Sequence, residues 1–165
     1  MKQIVVFQER CTACRECEMA CSFQHESVFV PALSRIRVQD FYEEQFYLPM
    51  VCVHCADAPC ATVCPTVAIT REPTGQVMVH EERCIGCKMC LLACPFGVMG
   101  FSPQKGVAHN CDFCDGDPQC VKFCLPNALS YEEVETNATA KAKFAAAIAR
   151  EAAAGLAPKS SAPQR

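Results

Sequence analysis

Arg35-Ile36-Arg37-Val38-Gln39 alternates polar and apolar residues with period two, which predicts a half-buried strand. Phe46-Tyr47-Leu48 can return beside it after a turn at Glu43-Glu44. Apolar runs at residues 3–7, 67–71 and 77–80 predict further short strands. Thr74-Gly75 supplies the turn that joins Ile69-Thr70-Arg71 to Val77-Met78-Val79 as a hairpin.

The pattern changes from Thr136 to Glu151, where alanine, lysine, arginine and glutamate give strong helix propensity. Ala140, Phe144, Ile148 and Ala152 fall on one narrow, small-sided stripe, and Gly155 followed by Pro158 would end the helix. Such a stripe suits close docking, either back on its own domain or on a partner subunit. Phe144 and Ile148 are the candidate partner-docking residues. After Pro158 the composition predicts a disordered tail.

Cysteine changes this picture most. The 165-residue chain carries 16 of them in four groups of four: Cys11, Cys14, Cys17, Cys21; Cys52, Cys55, Cys60, Cys64; Cys84, Cys87, Cys90, Cys94; and Cys111, Cys114, Cys120, Cys124. The first and third groups follow the bacterial ferredoxin run C-x2-C-x2-C-x3-C, and the other two stretch only its middle gap. A disulfide scaffold has no reason to repeat one spacing in this way, and no signal peptide precedes the first group. Zinc joins two C-x2-C pairs through a loop, whereas three close cysteines and a remote fourth suit a cubane cluster. Four [4Fe–4S] clusters use all the thiolates.

Between the second and third cysteines of each group the chain reads as a one-turn helical piece at most. Proline follows the last cysteine at Pro65 and Pro95, and one residue later at Pro126, turning the chain away from the ligand; Ser22 breaks the pattern. The repeats predict an α+β architecture: a duplicated bacterial-type ferredoxin-like fold with four clusters and a C-terminal helical extension.

In two-cluster ferredoxins the first three cysteines of a run hold one cluster and the fourth reaches to its neighbour. The second and third groups then give Cys52, Cys55, Cys60 with Cys94, and Cys84, Cys87, Cys90 with Cys64. The outer groups give Cys11, Cys14, Cys17 with Cys124, and Cys111, Cys114, Cys120 with Cys21. This makes residues 50–97 an inner two-cluster module inserted into an outer one of residues 1–49 and 98–131, with an insertion at 25–49. Residues 132–165 form the C-terminal helix and tail. Pairing the first group with the second and the third with the fourth is the alternative; the insertion after Cys21 and the compact hairpin between groups two and three favour nesting. Ala58-Pro59 and Gly116-Asp117-Pro118 lengthen the stretched groups, and that extra loop either covers a cluster or presents it to a partner.

The formal charge is −3, and four oxidised clusters with their thiolates bring it to about −11. A body this negative is unsuited to nucleic acid and is steered instead toward a positive docking face on a protein. Neither a bilayer-crossing apolar run nor a phosphate loop or hydrolytic triad is present, and the expected compartment is a reducing cytoplasm. His25, His54, His80 and His109 are too scattered for a separate catalytic metal and read as surface residues or neighbours of the cluster ligands. Phe41, Tyr42, Phe46 and Tyr47 either pack over a cluster or form an exposed docking patch. Arg15, Glu16, Glu18 and Lys88 are placed to bias cluster potentials, and Gly86 to let backbone approach sulfur.

At Cys52-Val53-His54-Cys55-Ala56-Asp57-Ala58-Pro59-Cys60, Cys64-Pro65 and Cys84-Ile85-Gly86-Cys87 the chain resembles the four-cluster electron-transfer subunits of molybdenum and tungsten oxidoreductases and their relatives. The resemblance covers about residues 1–131. With Cys11-Thr12-Ala13-Cys14-Arg15-Glu16-Cys17 it looks most like the iron–sulfur subunit of a multi-subunit tungsten aldehyde oxidoreductase. It implies a chain that is not an enzyme by itself. Single electrons would pass through four clusters between a large tungstopterin- or molybdopterin-type catalytic subunit and a flavin- or NAD-binding subunit. The formate dehydrogenase, hydrogenase and carbon monoxide dehydrogenase relatives, and a free-standing polyferredoxin, are the other readings. An array with an entry and an exit also permits end-to-end self-association.

With so much of the interior given to metal, folding and metal binding should be coupled. Stripping the clusters with a chelator under oxidising conditions is expected to bleach the chain and collapse its folded far-ultraviolet dichroism; a colourless protein that keeps that spectrum would contradict the coupling.

Overall fold

Strand β1 (Lys2–Val6) pairs antiparallel with β8 (Leu129–Glu133), Val6 opposite Leu129 and Lys2 opposite Glu133. The two ends of the described chain therefore meet. The computed structural model describes residues 1–133, and the predicted C-terminal helix with Phe144 and Ile148 lies outside them.

The alternating insertion forms the expected hairpin, displaced by two residues: β2 (Arg37–Phe41) pairs with β3 (Phe46–Met50), Val38 opposite Pro49. Val38 turns inward while Arg37 and Gln39 face out, as the period-two pattern demands. The predicted Thr74-Gly75 hairpin joins β4 (Ile69–Arg71) to β5 (Val77–Val79). A further hairpin of β6 (Gly100–Ser102) and β7 (Val107–His109) has no counterpart in the sequence reading. Its strands are too short to show a period, and Gly106 at φ +70° is the turn signal that could have found it. Among the described residues all sheets are two-stranded.

The helices depart from expectation in place and length. They run from the third cysteine toward the fourth: α2 (Pro59–Thr62), α3 (Met89–Ala93) and α4 (Gln119–Lys122). In the first group α1 (Glu16–Glu26) continues for 11 residues. Ser22 is the reason. Pro65 and Pro95 force the chain to turn after their cysteines, whereas Ser22 keeps an amide and lets the helix pass through the fourth ligand position. Its hydroxyl donates to the Met19 carbonyl at 3.0 Å and accepts from the Val30 amide at 3.2 Å, tying the insertion back to the helix. Cys17 and Cys21, four apart, share the buried face of α1.

Two apolar cores result. Ile4, Ile36, Val38, Val51, Phe113 and Leu129 pack with Cys17, Cys21, Cys111 and Cys120 in one. Ala58, Ile69, Val77, Met99 and Ala108 pack with Cys90 in the other. Met99 and Ala108 thus pack with the 50–97 segment although the sequence reading set them in the outer one, and Val51 packs with the outer core.

Gly86 shows how closely the second core is drawn together. It sits at φ +69°, and a Cβ there would lie 2.5 Å from the Gly106 carbonyl oxygen of the β6–β7 turn. Gly97 has a similar φ of +62° but open space around it. Gly86→Ala is expected to destabilise the holoprotein by about 1–3 kcal/mol through combined strain and overpacking. Gly97→Ala should cost only the backbone part, about 1 kcal/mol. Anaerobic thermal bleaching of the visible absorbance, with the Gly86 variant failing at the lower temperature, checks the order.

Candidate metal centres

Each C-x2-C loop turns through a left-handed residue immediately before its second cysteine: Ala13 (φ 56°), His54 (45°), Gly86 (69°) and Phe113 (59°). Three of the four are not glycine, so this backbone is held by its surroundings at a cost of order 1 kcal/mol each. The turn makes successive amides face inward around one centre, the concave arrangement that accepts anions and sulfur clusters. A second left-handed residue recurs three positions after the fourth cysteine, at Val67 (53°), Gly97 (62°) and Asn127 (53°). The first group lacks it because α1 runs on there.

Amide hydrogens point at cysteine sulfur in a repeating way. Ala68 N donates to Cys64 Sγ at 3.3 Å and Ala128 N to Cys124 Sγ at 3.2 Å, both four residues beyond the cysteine. Cys21, on a helix, is reached instead by the Arg35 amide of the insertion at 3.2 Å. Cys84 accepts from Ala108 N at 3.4 Å, and Cys52 from the side-chain amide of Asn110 at 3.6 Å.

The sulfurs gather in neighbourhoods that show in their mutual electrostatics. Burial pushes the Cys17 thiol up to about 12, with Cys124 and Cys14 adding to the rise. Cys11 is raised by burial and by Cys14 and Cys124. Cys120 and Cys111 are raised strongly, by burial first; Cys21 contributes to both, and Cys114 also acts on Cys120. Cys60 rises to about 11 through burial, then Cys52 and Cys94. Cys90 is raised by burial, then by Cys84, Cys87 and Cys64. Cys64 alone goes down: burial raises it, but hydrogen bonds from the Thr66 hydroxyl and the backbone outweigh that. These influences run between the first and fourth groups and between the second and third. Two links cross between neighbourhoods: Cys17 acts on Cys120, and Cys52 on Cys111.

Buried thiolates that repel one another need a cation among them. All 16 cysteines are free, several act on one another across groups, and several accept amide hydrogens, so the donor set suits iron–sulfur clusters. Cys14 and Cys87, the second cysteines of the two regular groups, are the exposed members.

The other candidates take plainer roles. His54 and His109 are buried, and burial lowers both to about 4, so both rings are neutral near pH 7. His54 Nδ1 accepts from the Val77 amide at 2.9 Å, and its ring stands 4.3 Å from that of Phe113. His80 Nε2 meets the Thr70 hydroxyl at 2.7 Å. His25 lies 3.5 Å from Asp112 and 3.7 Å from Cys114 Sγ, while Arg35 holds the same aspartate at 2.6 Å. Arg15 is paired with Asp40 at 2.6 Å, and the Lys88 ammonium lies 4.3 Å from the Phe101 ring centre. Phe41 and Tyr42 at the β2–β3 turn are exposed, with Phe46 tilted against Phe41 and Tyr47 edge-on to Tyr42. Sequence reasoning missed Asn110 and Asp112, whose signal was only their place on either side of Cys111.

Known proteins share these features. The 4Fe-4S dicluster domain matches residues 43–134, and a 4Fe-4S binding domain matches residues 8–24. The chain is 43% identical over 122 residues to the polyferredoxin-like subunit of aliphatic sulfonate oxidoreductase from Pyrococcus furiosus, covering 73% of this chain and 70% of that one. It is 42% identical to the putative electron transport protein YsaA of Escherichia coli (strain K12), over 80% of this chain and 90% of the relative. The thiosulfate reductase electron transfer subunit PhsB of Salmonella typhi is 38% identical, with 78% and 73% covered. The 16 cysteines fit four [4Fe–4S] clusters. The chain belongs to the 4Fe-4S dicluster domain family, as a ferredoxin-like electron-transfer subunit of an oxidoreductase complex.

Proposed function

We propose that this chain is a one-electron wire, with no substrate site of its own, joining a tungstopterin-type aldehyde oxidoreductase subunit to a flavin- or NAD-linked subunit in the cytoplasm. The tungsten partner follows the sequence resemblance; the wire rests on the neighbourhoods of the cysteines. The ligand sets are Cys11, Cys14, Cys17 and Cys124; Cys21, Cys111, Cys114 and Cys120; Cys52, Cys55, Cys60 and Cys94; and Cys64, Cys84, Cys87 and Cys90. They divide the chain into a nested inner module and an outer module. When bound, each cluster takes up and releases one electron without proton chemistry at the protein.

The observation that carries this reading is an ordering of exposure. Cys52 acts on the buried Cys111, whereas Cys14 and Cys87, in the two other sets, reach solvent. The order is then Cys14 set, Cys111 set, Cys52 set, Cys87 set, with an open contact at each end. Around Cys87 the exposed apolar side chains Ile85, Met89 and Leu92, the last 88% exposed, supply a docking collar. No helix among the described residues is long and apolar enough to cross a membrane.

The wiring is checked by paired substitution. Cys14→Ser with Cys124→Ser should remove one cluster, leaving about twelve irons per chain, whereas Cys14→Ser with Cys21→Ser should disturb two. Anaerobic iron and labile-sulfide analysis with electron paramagnetic resonance reads the difference, and equal losses from both pairs would refute the assignment. The docking collar has its own test. Leu92→Asp should slow electron exchange with the co-purified oxidoreductase by about tenfold while leaving iron content unchanged. Unaltered exchange would remove this face from the contact.

A further inference from the structure

The two halves of the described chain meet along one strand edge. Val77 of β5 pairs with Arg71 on one side, and its other peptide groups face the Cys52 loop and the segment leading into Cys111. Its amide donates to His54 Nδ1, and its carbonyl accepts from Asn110 Nδ2 at 2.8 Å. One residue earlier, Gln76 Nε2 donates to the Asp112 carbonyl at 2.7 Å. Asn110 and Asp112 flank Cys111, so both sides of that cysteine are sewn to the inner hairpin.

Asn110 does more than close the seam. It is almost fully buried, and the same Nδ2 that serves Val77 also reaches Cys52 Sγ at 3.6 Å. A carbonyl can only accept, so the Val77 bond fixes which end of the amide faces inward and leaves the second N–H for the sulfur. The backbone of Asn110 continues directly into Cys111. On the wiring of the preceding section, on which this inference rests, Cys52 and Cys111 hold different clusters. Asn110 therefore connects the ligands of two clusters by one hydrogen bond and a short covalent path.

We propose that Asn110 is the positioning residue of the central electron hop. Its side-chain amide donates to the Cys52 thiolate, favours the reduced state of that centre, and holds Cys52 in register with Cys111. A hydrogen bond to ligand sulfur withdraws negative charge, which stabilises the form carrying the extra electron. The hop moves one electron and no atoms. The centre that gives it up is oxidised by one unit, its neighbour is reduced by one, and both Asn110 protons stay on Nδ2.

The experiment uses the full-length holoprotein under anaerobic conditions, as wild type, Asn110→Leu and Asn110→Asp. Leucine keeps the volume and loses both donors; aspartate keeps the shape, loses the donors and adds negative charge. Redox titration followed by electron paramagnetic resonance is expected to show one of the midpoint potentials moved downward in Asn110→Leu. The shift should be about tenfold in the reduction constant, equivalent to about 59 mV for one electron, with iron content unchanged. Asn110→Asp should fall at least as far. Unchanged potentials in a fully loaded Asn110→Leu protein would overturn the proposal while leaving the four-cluster wiring intact. Failure of the paired-cysteine analysis would instead remove the wiring. If the leucine variant does not load, wild-type protein labelled with 15N-asparagine decides by pulsed resonance. A hyperfine coupling from one side-chain nitrogen to a reduced cluster supports the role, and its absence refutes it.

Discussion

Bringing four thiolates together is unfavourable until a positive centre lies among them, and the rest of residues 1–133 is arranged around that repulsion. Burial raises Cys17 to about 12 and Cys60 to about 11, so in the metal-free chain these sulfurs would hold their protons near neutral pH. The protein offsets the cost locally. Left-handed residues before each second cysteine curl amides inward, and N–H donors reach sulfur from Ala68, Ala128, Arg35 and Ala108. None of these devices needs a large apolar core. That fits the described residues, whose sheets are two-stranded and whose helices, apart from α1, last about one turn.

The proposed nesting follows from the same constraint. A fourth cysteine that leaves its own loop must find a partner loop, and pairing the outer groups obliges the ends of the described residues to meet. The β1–β8 ladder is that meeting, and the central segment is held between the ends by the Val77 edge and its bonds to His54 and Asn110. His54 is useful here because it is neutral. Burial lowers its pKa to about 4, so its Nδ1 keeps the lone pair that the Val77 amide requires.

Much of this was legible because spacing is a chemical statement. The four-cysteine repeat named the cluster type, and the alternation around Ile36 and Val38 named the insertion hairpin. The break at Ser22 marked a change of course, although not that the change would be a helix of three turns. What stayed hidden depended on contacts remote in sequence. Asn110 looks like any polar residue until Cys52, 58 positions away, is placed beside it. Met99 and Ala108 side with the central segment because the Gly86 loop packs against the β6–β7 turn, a proximity that no local pattern records. The left-handed backbone at Ala13 and Phe113 is equally silent, since neither residue type asks for it.

On the proposed wiring, the stretched groups tie a small change in a repeat to a position along the wire. The sequence left open whether the extra loop covers a cluster or presents it. In both stretched groups the added residues end in a proline, Pro59 or Pro118, that opens or precedes the following helix, and Ala58 and Pro118 are themselves buried. The second cysteines there, Cys55 and Cys114, are drawn in, whereas Cys14 and Cys87 of the regular groups remain exposed. Lengthening one gap covers a loop, and leaving it short opens a contact. On the proposed wiring, covered loops supply the two central ligand sets and open loops the terminal ones, so the array gains two exposed ends without changing its ligands. On that wiring, the exposed Cys14 and Cys87 mark the two ends at which an electron can enter and leave.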